Sequence, residues 1–338
     1  SRQRPWDRSA VIGRLARVKV DPLRQHGTAP ISLAVASPAT THELQVATPY
    51  RLDLTVSALR RTSANLVDIY TSDGRYLRAL GGSARPVIVS VTQPRADTLS
   101  VSVVGGEAGP ALASVRRMLG VERDLSTFHR RARPIPWLAP LAQRMRGLTP
   151  PRYPGLFEAC ANAILFQQVS LQAASAIMRR LILAFGTPVE HEGVPLAVFP
   201  GPQRILDADD AELRAAGVSA AKAATLRRAA EAVASGALTE TMLDERSSAD
   251  AALALRSIKG IGPWTATVIL LRGLGRLDVF PRGDSSVAAN LALVAGAEVD
   301  AAEAAGMLGS QRGMLYFNLL LARLEARGEV GRPSAVSG

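Results

Sequence analysis

Cysteine is almost absent from this chain, because Cys160 is the only one in 338 residues. One cysteine excludes a disulfide scaffold, a cysteine zinc site and a cysteine-ligated iron–sulfur cluster. Histidine is also scarce, and no metal-ligand spacing relates the four that are present. They are His26, His42, His129 and His191. The sequence therefore predicts no metal site built from cysteine or histidine, and it implies no redox or organic cofactor.

Long hydrophobic runs are missing as well. No stretch of about 18 uncharged apolar residues occurs, so we expect no membrane-spanning helix. Residues 1–10 lack the apolar core of a signal peptide, and the expected location is the cytoplasm, where the nucleoid lies. With 47% hydrophobic and 20% charged residues, the composition is that of a globular protein with about two domains.

Lysine is rare, and arginine carries most of the basic charge. Lys19, Lys222 and Lys259 are the only lysines among 40 basic residues, and the net charge is +11. Residues 1–152 hold 23 basic against 10 acidic residues, so the excess lies in the N-terminal half. Such a charge favours a polyanionic partner. Arginine suits phosphate contacts, but a compositional bias toward arginine would give the same pattern. Charge alone therefore does not show that the partner is a nucleic acid.

Hydrophobic periodicity divides the chain into two parts. From residue 31 to about residue 106, apolar and polar residues alternate as in strands, with β-branched residues and a turn signal at Ser72–Gly74. The predicted strands lie in 42–47, 50–59, 65–80, 86–93 and 98–106. From Pro110 onward the pattern predicts helices only. They lie in 111–120, 157–186, 209–217, 219–236, 248–258, 263–274, 284–296, 301–308 and 311–327.

These patterns predict an α+β fold, in which an antiparallel β-rich N-terminal domain precedes an all-helical domain. The expected divisions are an N-terminal extension at 1–30, the β-rich domain at 31–112, the helical domain at 113–330 and a tail at 331–338. The first part of the helical domain, 113–155, is expected to be a connecting segment.

The most informative segment is the sequence IKGIG at residues 258–262, which two short helices should flank. Gly260 and Gly262 allow a tight turn, and Pro263 fits the first turn of the second helix. The free amides at that helix start can bind an anion such as phosphate. An ordinary glycine-rich turn between helices would show the same five residues.

Four ordered segments together resemble the helix-hairpin-helix-GPD superfamily of DNA glycosylases. They are the hairpin at 258–262, the loop and aspartate at 277–284, the F-E…Q-Q-V-S segment at 157–174 and the G-x-S-x-x-K-A segment at 213–233. The β-rich half resembles the extra domain of the 3-methyladenine DNA glycosylase II, or AlkA-type, branch. The resemblance spans about residues 40–328 and implies a helical helix-hairpin-helix glycosylase domain.

The resemblance assigns Asp284 to the position of the catalytic aspartate. Hydrolysis of an N-glycosidic bond passes through an oxocarbenium-like sugar, and a carboxylate beside it stabilises that charge. The same residue is also a good N-cap for the helix at 284–296, and the two roles are compatible.

The family's strand-cleaving members carry a Schiff-base lysine two residues after the second hairpin glycine. Trp264 occupies that position here, and Lys259 lies inside the hairpin, where it would contact phosphate. The resemblance therefore implies a monofunctional enzyme, with no lyase activity.

A glycosylase that flips its target out of a duplex must fill the gap it leaves. Gln168 matches the position from which relatives insert a side chain into the base stack. Alternatively, Gln167 and Gln168 only cap the flanking helices.

The base pocket is where the sequence departs from the family, whose AlkA-type members line it with several aromatic residues. Trp264 matches one of these, while the other positions hold Val268, Ser285 and, in a less secure alignment, Gln311. Trp264 could instead be a core residue. Aromatic residues make up only 4% of the chain, and the unplaced candidates are Tyr153, Phe166, Tyr316 and Phe317.

The hairpin is expected to bind DNA phosphate. The residues assigned to this role are Lys259, Gly260, Ile261, Gly262 and Thr265. By resemblance, the carbonyls of Ile258 and Ile261 could hold a Na⁺ or K⁺ ion beside the phosphate.

The resulting prediction is a monomeric glycosylase that removes alkylated purines from duplex DNA and leaves an abasic site. The alternatives are a glycosylase for hypoxanthine or an oxidised purine, and a DNA-damage-binding protein without activity.

Overall fold

A computed structural model describes residues 31–32, 39–81, 85–296 and 299–334. The predicted N-terminal extension at 1–30 and the last four residues of the predicted tail lie outside this part of the chain. The side chain of Ser285 is likewise not described. Within the described ranges, none of the helices has the length and apolar character needed to cross a bilayer.

The N-terminal part is built on a five-stranded antiparallel sheet. Its strands are β2 (Thr40–Gln45), β3 (Asp68–Tyr70), β4 (Tyr76–Leu80), β5 (Val87–Arg95) and β6 (Thr98–Val104). Their order across the sheet is β2-β6-β5-β4-β3. The predicted turn joins β3 to β4, where Gly74 has a φ of +81°. This sheet, followed by helices, confirms the predicted α+β class.

The predicted strand at 50–59 is wrong, because this segment forms helix α1 (Leu52–Arg60). Its apolar and polar residues alternate as in a strand, but the helix is buried on nearly all sides, so the alternation carries no information about a solvent-facing side. Leu54 and Ala58 join one hydrophobic cluster, while Leu52 and Val56 join another. Helix α1 therefore lies in the interior and contributes to both parts of the core.

Helices dominate the rest of the chain, as predicted. They are α2 (Ala108–Leu119), α3 (Ser126–Ala132), α4 (Leu138–Arg144), α5 (Leu156–Leu165), α6 (Leu171–Phe185), α7 (Pro202–Leu206), α8 (Asp210–Ala215), α9 (Ala220–Ala234), α10 (Glu240–Asp244), α11 (Ser248–Arg256), α12 (Pro263–Arg272), α13 (Ser285–Ala295), α14 (Ala301–Leu308) and α15 (Gly313–Ala326), with a 3₁₀ turn at Gly309–Gln311.

One hairpin interrupts the helices and corrects the prediction of an all-helical second part. Strands β7 (Thr187–His191) and β8 (Val194–Val198) pair antiparallel around Glu192 and Gly193. Both turn residues have positive φ, as a two-residue hairpin turn requires. The short strand β1 (Ile31–Ser32) pairs parallel with β7. The sequence did not predict this hairpin, because each strand has only five residues and contains a proline.

A buried ionic cluster joins the sheet to the helices. Arg78 on β4 donates to Asp68 at 2.7 Å and to Glu158 on α5 at 2.5 Å, and Tyr76 donates to Asp68 at 2.7 Å. All four side chains are buried. One guanidinium faces two carboxylates, and burial raises the pKa of Glu158 to about 7 although Arg78 acts in the opposite direction.

A second buried arginine ties α1 to α12. Arg272 donates to the carbonyls of Ala58 and Leu59, both at 2.9 Å. Its guanidinium also lies 5.0 Å from the ring centre of Tyr153. The hairpin-bearing helix is therefore fixed directly to the N-terminal part.

Candidate active site

The predicted helix-hairpin-helix is present as α11, a turn at residues 257–262, and α12. Gly260 has a φ of +101°, and a Cβ there would lie 2.0 Å from Oγ1 of Thr225, so only glycine fits. Gly262 differs, because its φ of −86° suits any residue and a Cβ would meet open space. The turn therefore requires its first glycine sterically, while the second leaves the surface open to an approaching ligand.

The open surface of the hairpin carries donors that fit a phosphate. No side chain caps the start of α12, so its first amides are free of such a partner. Lys259 is exposed. Thr265 can contribute only its backbone, because its side chain is 2% exposed and its hydroxyl accepts from Gln167 at 2.6 Å. The assignment of Thr265 to phosphate binding stays a prediction for its backbone amide.

The hairpin carbonyls are partly engaged within the protein. The carbonyl of Ile258 accepts from the amide of Ile261 at 3.0 Å. Those of Lys259 and Gly260 accept from Arg228 at 2.8 Å and from Gln167 at 3.1 Å. The monovalent cation at Ile258 and Ile261 stays a prediction. Among the described residues, no group of three histidine, cysteine or acidic side chains could hold a metal.

Asp284 and Trp264 are in direct contact. The indole Nε1 of Trp264 donates to Oδ2 of Asp284 at 2.8 Å. The other oxygen, Oδ1, accepts from the amides of Ser286 at 2.8 Å and Val287 at 3.2 Å, and from the Ser286 hydroxyl at 2.5 Å. Amides and indoles can only donate, so both oxygens of the Asp284 side chain act as acceptors in these bonds. Asp284 is thus the predicted N-cap of α13 and also a carboxylate held against the hairpin.

Two cavities flank this pair. Asp284 lines one of about 400 Å³ between α13 and α14, and Trp264 lines one of about 470 Å³ beside α11. Phe280 and Arg282 line both. Val268 is 2% exposed and packs into the core one turn beyond Trp264, and its expected role in the base pocket stays a prediction. The contribution of Ser285 falls outside the described side chains.

The loop between α5 and α6, residues 166–170, presents Gln168 to solvent. Gln168 has a φ of +52°, which is uncommon for a residue other than glycine, and both it and Val169 are exposed. Neither glutamine caps a helix through its side chain. Ser170 caps α6 by accepting from Ala173, and Lys222 binds the end of α5. The alternative in which both glutamines serve only as caps is therefore wrong.

Sequence reasoning missed Arg61, which follows α1 and is 5% exposed. Its guanidinium lies 4.2 Å from the ring centre of Phe166 and 3.4 Å from the hydroxyl of Tyr316, and its Nε has no partner among the described residues. Burial acts against its charge, but Tyr153, Tyr316 and Asp284 outweigh burial and raise the pKa of Arg61. Three of the four unplaced aromatic residues therefore gather around one cation.

The sequence held no usable signal for this cluster. Arg61 follows a segment that alternates like a strand. Its aromatic neighbours are the residue that follows α5, a residue of α15, and a residue three positions before α5. The fourth aromatic candidate, Phe317, is fully buried beside Arg272 instead. Gln311 has a buried Oε1 with no partner in the described part of the chain.

Residues 161–304 match a family described as HhH-GPD superfamily base excision DNA repair protein. The chain therefore contains a segment similar to this superfamily, and the segment makes up less than half of the chain. The match contains the hairpin, the loop and Asp284, which confirms the resemblance drawn from the sequence.

The curated relatives that resemble the chain include 3-methyladenine DNA glycosylases and an AlkA protein. A DNA-3-methyladenine glycosylase of Bacillus subtilis is 32% identical over 170 residues, which cover 50% of this chain and 56% of that protein. DNA-3-methyladenine glycosylase 2 of Escherichia coli is 29% identical over 213 residues, covering 62% and 72%. A probable bifunctional transcriptional activator and DNA repair enzyme AlkA of Mycobacterium tuberculosis is 31% identical over 268 residues, covering 78% and 52%. The chain spans about half the length of the first relatives it matches.

Among solved structures, the 3-methyladenine DNA glycosylase from Archaeoglobus fulgidus superposes with a TM-score of 0.69 and 26% identity. The alignment covers 84% of this chain and 99% of that one. The shared fold therefore includes the N-terminal sheet as well as the helices.

Proposed function

We propose that this protein is a monofunctional DNA glycosylase that releases alkylated purines, of the 3-methyladenine and 7-methylguanine type, from duplex DNA. Water is the second substrate, and an abasic site is the product. The observation that carries the proposal is the Asp284 carboxylate, fixed between the start of α13 and the Trp264 indole beside an open cavity. The Bacillus subtilis and Escherichia coli relatives bear the name of this activity.

In the proposed mechanism, Asp284 acts on the sugar. As the base departs, positive charge develops at C1′, and a carboxylate held in place stabilises it without reorganising at the moment of reaction. Alkylation gives the base its own positive charge, so it leaves as a neutral molecule and requires no general acid. None of the histidines in the described residues lies at Asp284 or Trp264, which agrees with this substrate class.

The DNA-binding roles are assigned to two surfaces. The hairpin, through Lys259 and the free amides of α12, holds a phosphate, while Gln168 enters the base stack in place of the flipped nucleotide. The Trp264 indole contacts the flipped base. We place this reaction on DNA in the cytoplasm and assign it to a monomer.

The proposal predicts how the product responds to alkali. On a panel of duplexes carrying single lesions, abasic sites should form fastest at 3-methyladenine or 7-methylguanine. Strands should remain intact in a denaturing gel until heat or alkali is applied, because Trp264 replaces the Schiff-base lysine. Cleavage without alkali, or trapping of the protein on DNA by borohydride, would contradict the monofunctional assignment.

Arg61 favours a second substrate class, neutral purines such as hypoxanthine. A neutral purine leaves as an anion unless it is protonated, and a buried guanidinium stabilises such a charge without transferring a proton. Arg61 is close enough to Asp284 for their charges to interact. The space lined by Arg61, Tyr153 and Phe166 is only about 30 Å³, the room of roughly one water, so a base can reach the guanidinium only if this space widens.

The two substrate classes predict different behaviour of Arg61→Met, which keeps apolar length over Phe166 but removes the charge. If Arg61 serves neutral bases, single-turnover release of hypoxanthine should fall on the order of 10²-fold while release of 7-methylguanine changes little. Equal losses on both lesions, after correction for thermal stability, would show that Arg61 does not act selectively on neutral bases.

A further inference from the structure

Helix α9 binds the loop at residues 166–170, called the wedge loop here. The ammonium of Lys222 donates to the carbonyls of Leu165 and Gln167, each at 2.8 Å. These carbonyls lie at the C-terminal end of α5, where backbone acceptors lack helical partners and positive charge is favourable. Lys222 is half-buried, and this desolvation lowers its pKa. The side chain is therefore committed to the loop rather than free for DNA.

The same side of α9 also binds the hairpin. Arg228 donates through Nε to the carbonyl of Lys259 at 2.8 Å. One turn earlier, Thr225 lies so close to Gly260 that no Cβ fits between them. Lys222, Thr225 and Arg228 are spaced by three residues, which brings them to neighbouring positions on one helix surface.

A third contact closes the arrangement. The Gln167 side chain donates from Nε2 to the carbonyl of Gly260 at 3.1 Å and to the Thr265 hydroxyl at 2.6 Å. Each pair of these elements is therefore joined by one side chain. Lys222 joins α9 to the wedge loop, Arg228 joins α9 to the hairpin, and Gln167 joins the wedge loop to the hairpin. Gln168, next to Gln167, stands outside this set of contacts and is exposed.

We propose that Lys222 is a positioning residue, which holds Gln168 in register with the hairpin so that phosphate binding and insertion into the base stack occur at matched positions on DNA. The inference rests on the proposed function. Its physical basis is the conformation of Gln168, since a positive φ in a residue other than glycine persists only where surrounding contacts enforce it. Lys222 enforces it by fixing the carbonyl on the preceding residue.

The test compares Lys222→Met with the wild-type chain on two 7-methylguanine duplexes. In one the lesion is paired with cytosine, and in the other it faces an abasic analogue, where flipping is easy. Loss of the charged hydrogen bonds should slow single-turnover release from the paired duplex by about ten- to hundredfold, and by far less from the unpaired one. A 2-aminopurine base beside the lesion reports insertion independently of release, and its fluorescence increase should be lost in the variant.

Arg227→Met is the matched control, because Arg227 lies on the same helix but binds Asp210 and the carbonyl of Ala208. It should behave as the wild type on both duplexes. Lys222→Gln repeats the comparison if Lys222→Met does not fold.

Equal losses on the two duplexes, or an unchanged fluorescence increase in the Lys222 variant, would overturn the positioning role. So would a wild-type protein that causes no fluorescence increase. A wild type that raises the fluorescence yet releases no base would instead refute the proposed activity, while the fluorescence of the variant still decides the role of Lys222.

Discussion

Asp284→Asn should bind damaged duplex DNA nearly as well as the wild type but release bases on the order of 10²- to 10³-fold more slowly. Asparagine is as good an N-cap as aspartate, so α13 should keep its start. The substitution removes the negative charge, which acts mainly in the transition state, and the loss should therefore appear in the chemical step. Single-turnover rates measured beside equilibrium binding separate the two effects.

Asp278→Asn provides the matched control for this variant. Asp278 lies in the same loop, is exposed, and makes no hydrogen bond or ion pair within the described chain, so the same change of charge should leave the rate unaltered. Equal rates for Asp284→Asn and wild type would remove Asp284 from the mechanism. Equal losses in both variants would point to a general effect of loop charge.

Arg78→Met should lower the free energy of unfolding by about 3–5 kcal/mol, because it leaves the buried carboxylates of Asp68 and Glu158 without their counter-charge. The effect should be visible in urea denaturation as a lower midpoint. Arg75→Met is the control, since Arg75 forms its ion pairs with Asp73 and Glu192 at the surface, and such pairs contribute little. A similar small loss in both variants would show that the buried cluster adds no stability.

Glu158 should make stability depend on pH. Burial raises its pKa from 4.5 to about 7 in the folded protein, so between these values the folded state holds a proton that the unfolded chain releases. The stability that this bound proton contributes is fully present below pH 4.5 and is lost as the pH rises through 7. Urea midpoints measured from pH 5 to 8 should therefore fall, and Glu158→Gln should flatten the decline. An unchanged slope in Glu158→Gln would assign the dependence to other groups.

The fold was predictable wherever local sequence and tertiary environment agree. Strands β4 to β6 and the long helices follow from periodicity and from turn residues such as Gly74. Helix α1 did not follow from periodicity. It is buried on nearly all sides and has no polar side, so the alternation of its apolar and polar residues indicated a strand. The β7–β8 hairpin was missed because short strands with proline carry a weak signal.

The residues of the candidate site were likewise predictable only in part. Asp284 and Trp264 were anticipated only as two separate motif positions, and the hydrogen bond between them was not. Arg61 and the anchoring of the wedge loop by Lys222 depend on contacts between residues that are distant in sequence. Nothing local to Arg61 distinguishes it from the other arginines of the chain, and Lys222 appeared as a motif residue without a role. Val268 packs into the core, which its motif position alone did not indicate, and its role in the base pocket stays a prediction.

The most direct test of the proposed activity is to identify the product released by the wild-type protein from a duplex with one 7-methylguanine. Mass spectrometry of the small-molecule fraction should detect free 7-methylguanine, in a molar amount equal to that of the abasic sites revealed by alkali. DNA binding without any free base would contradict the proposal and leave a damage-binding protein. Release of a nucleoside or nucleotide would show that a different bond is broken.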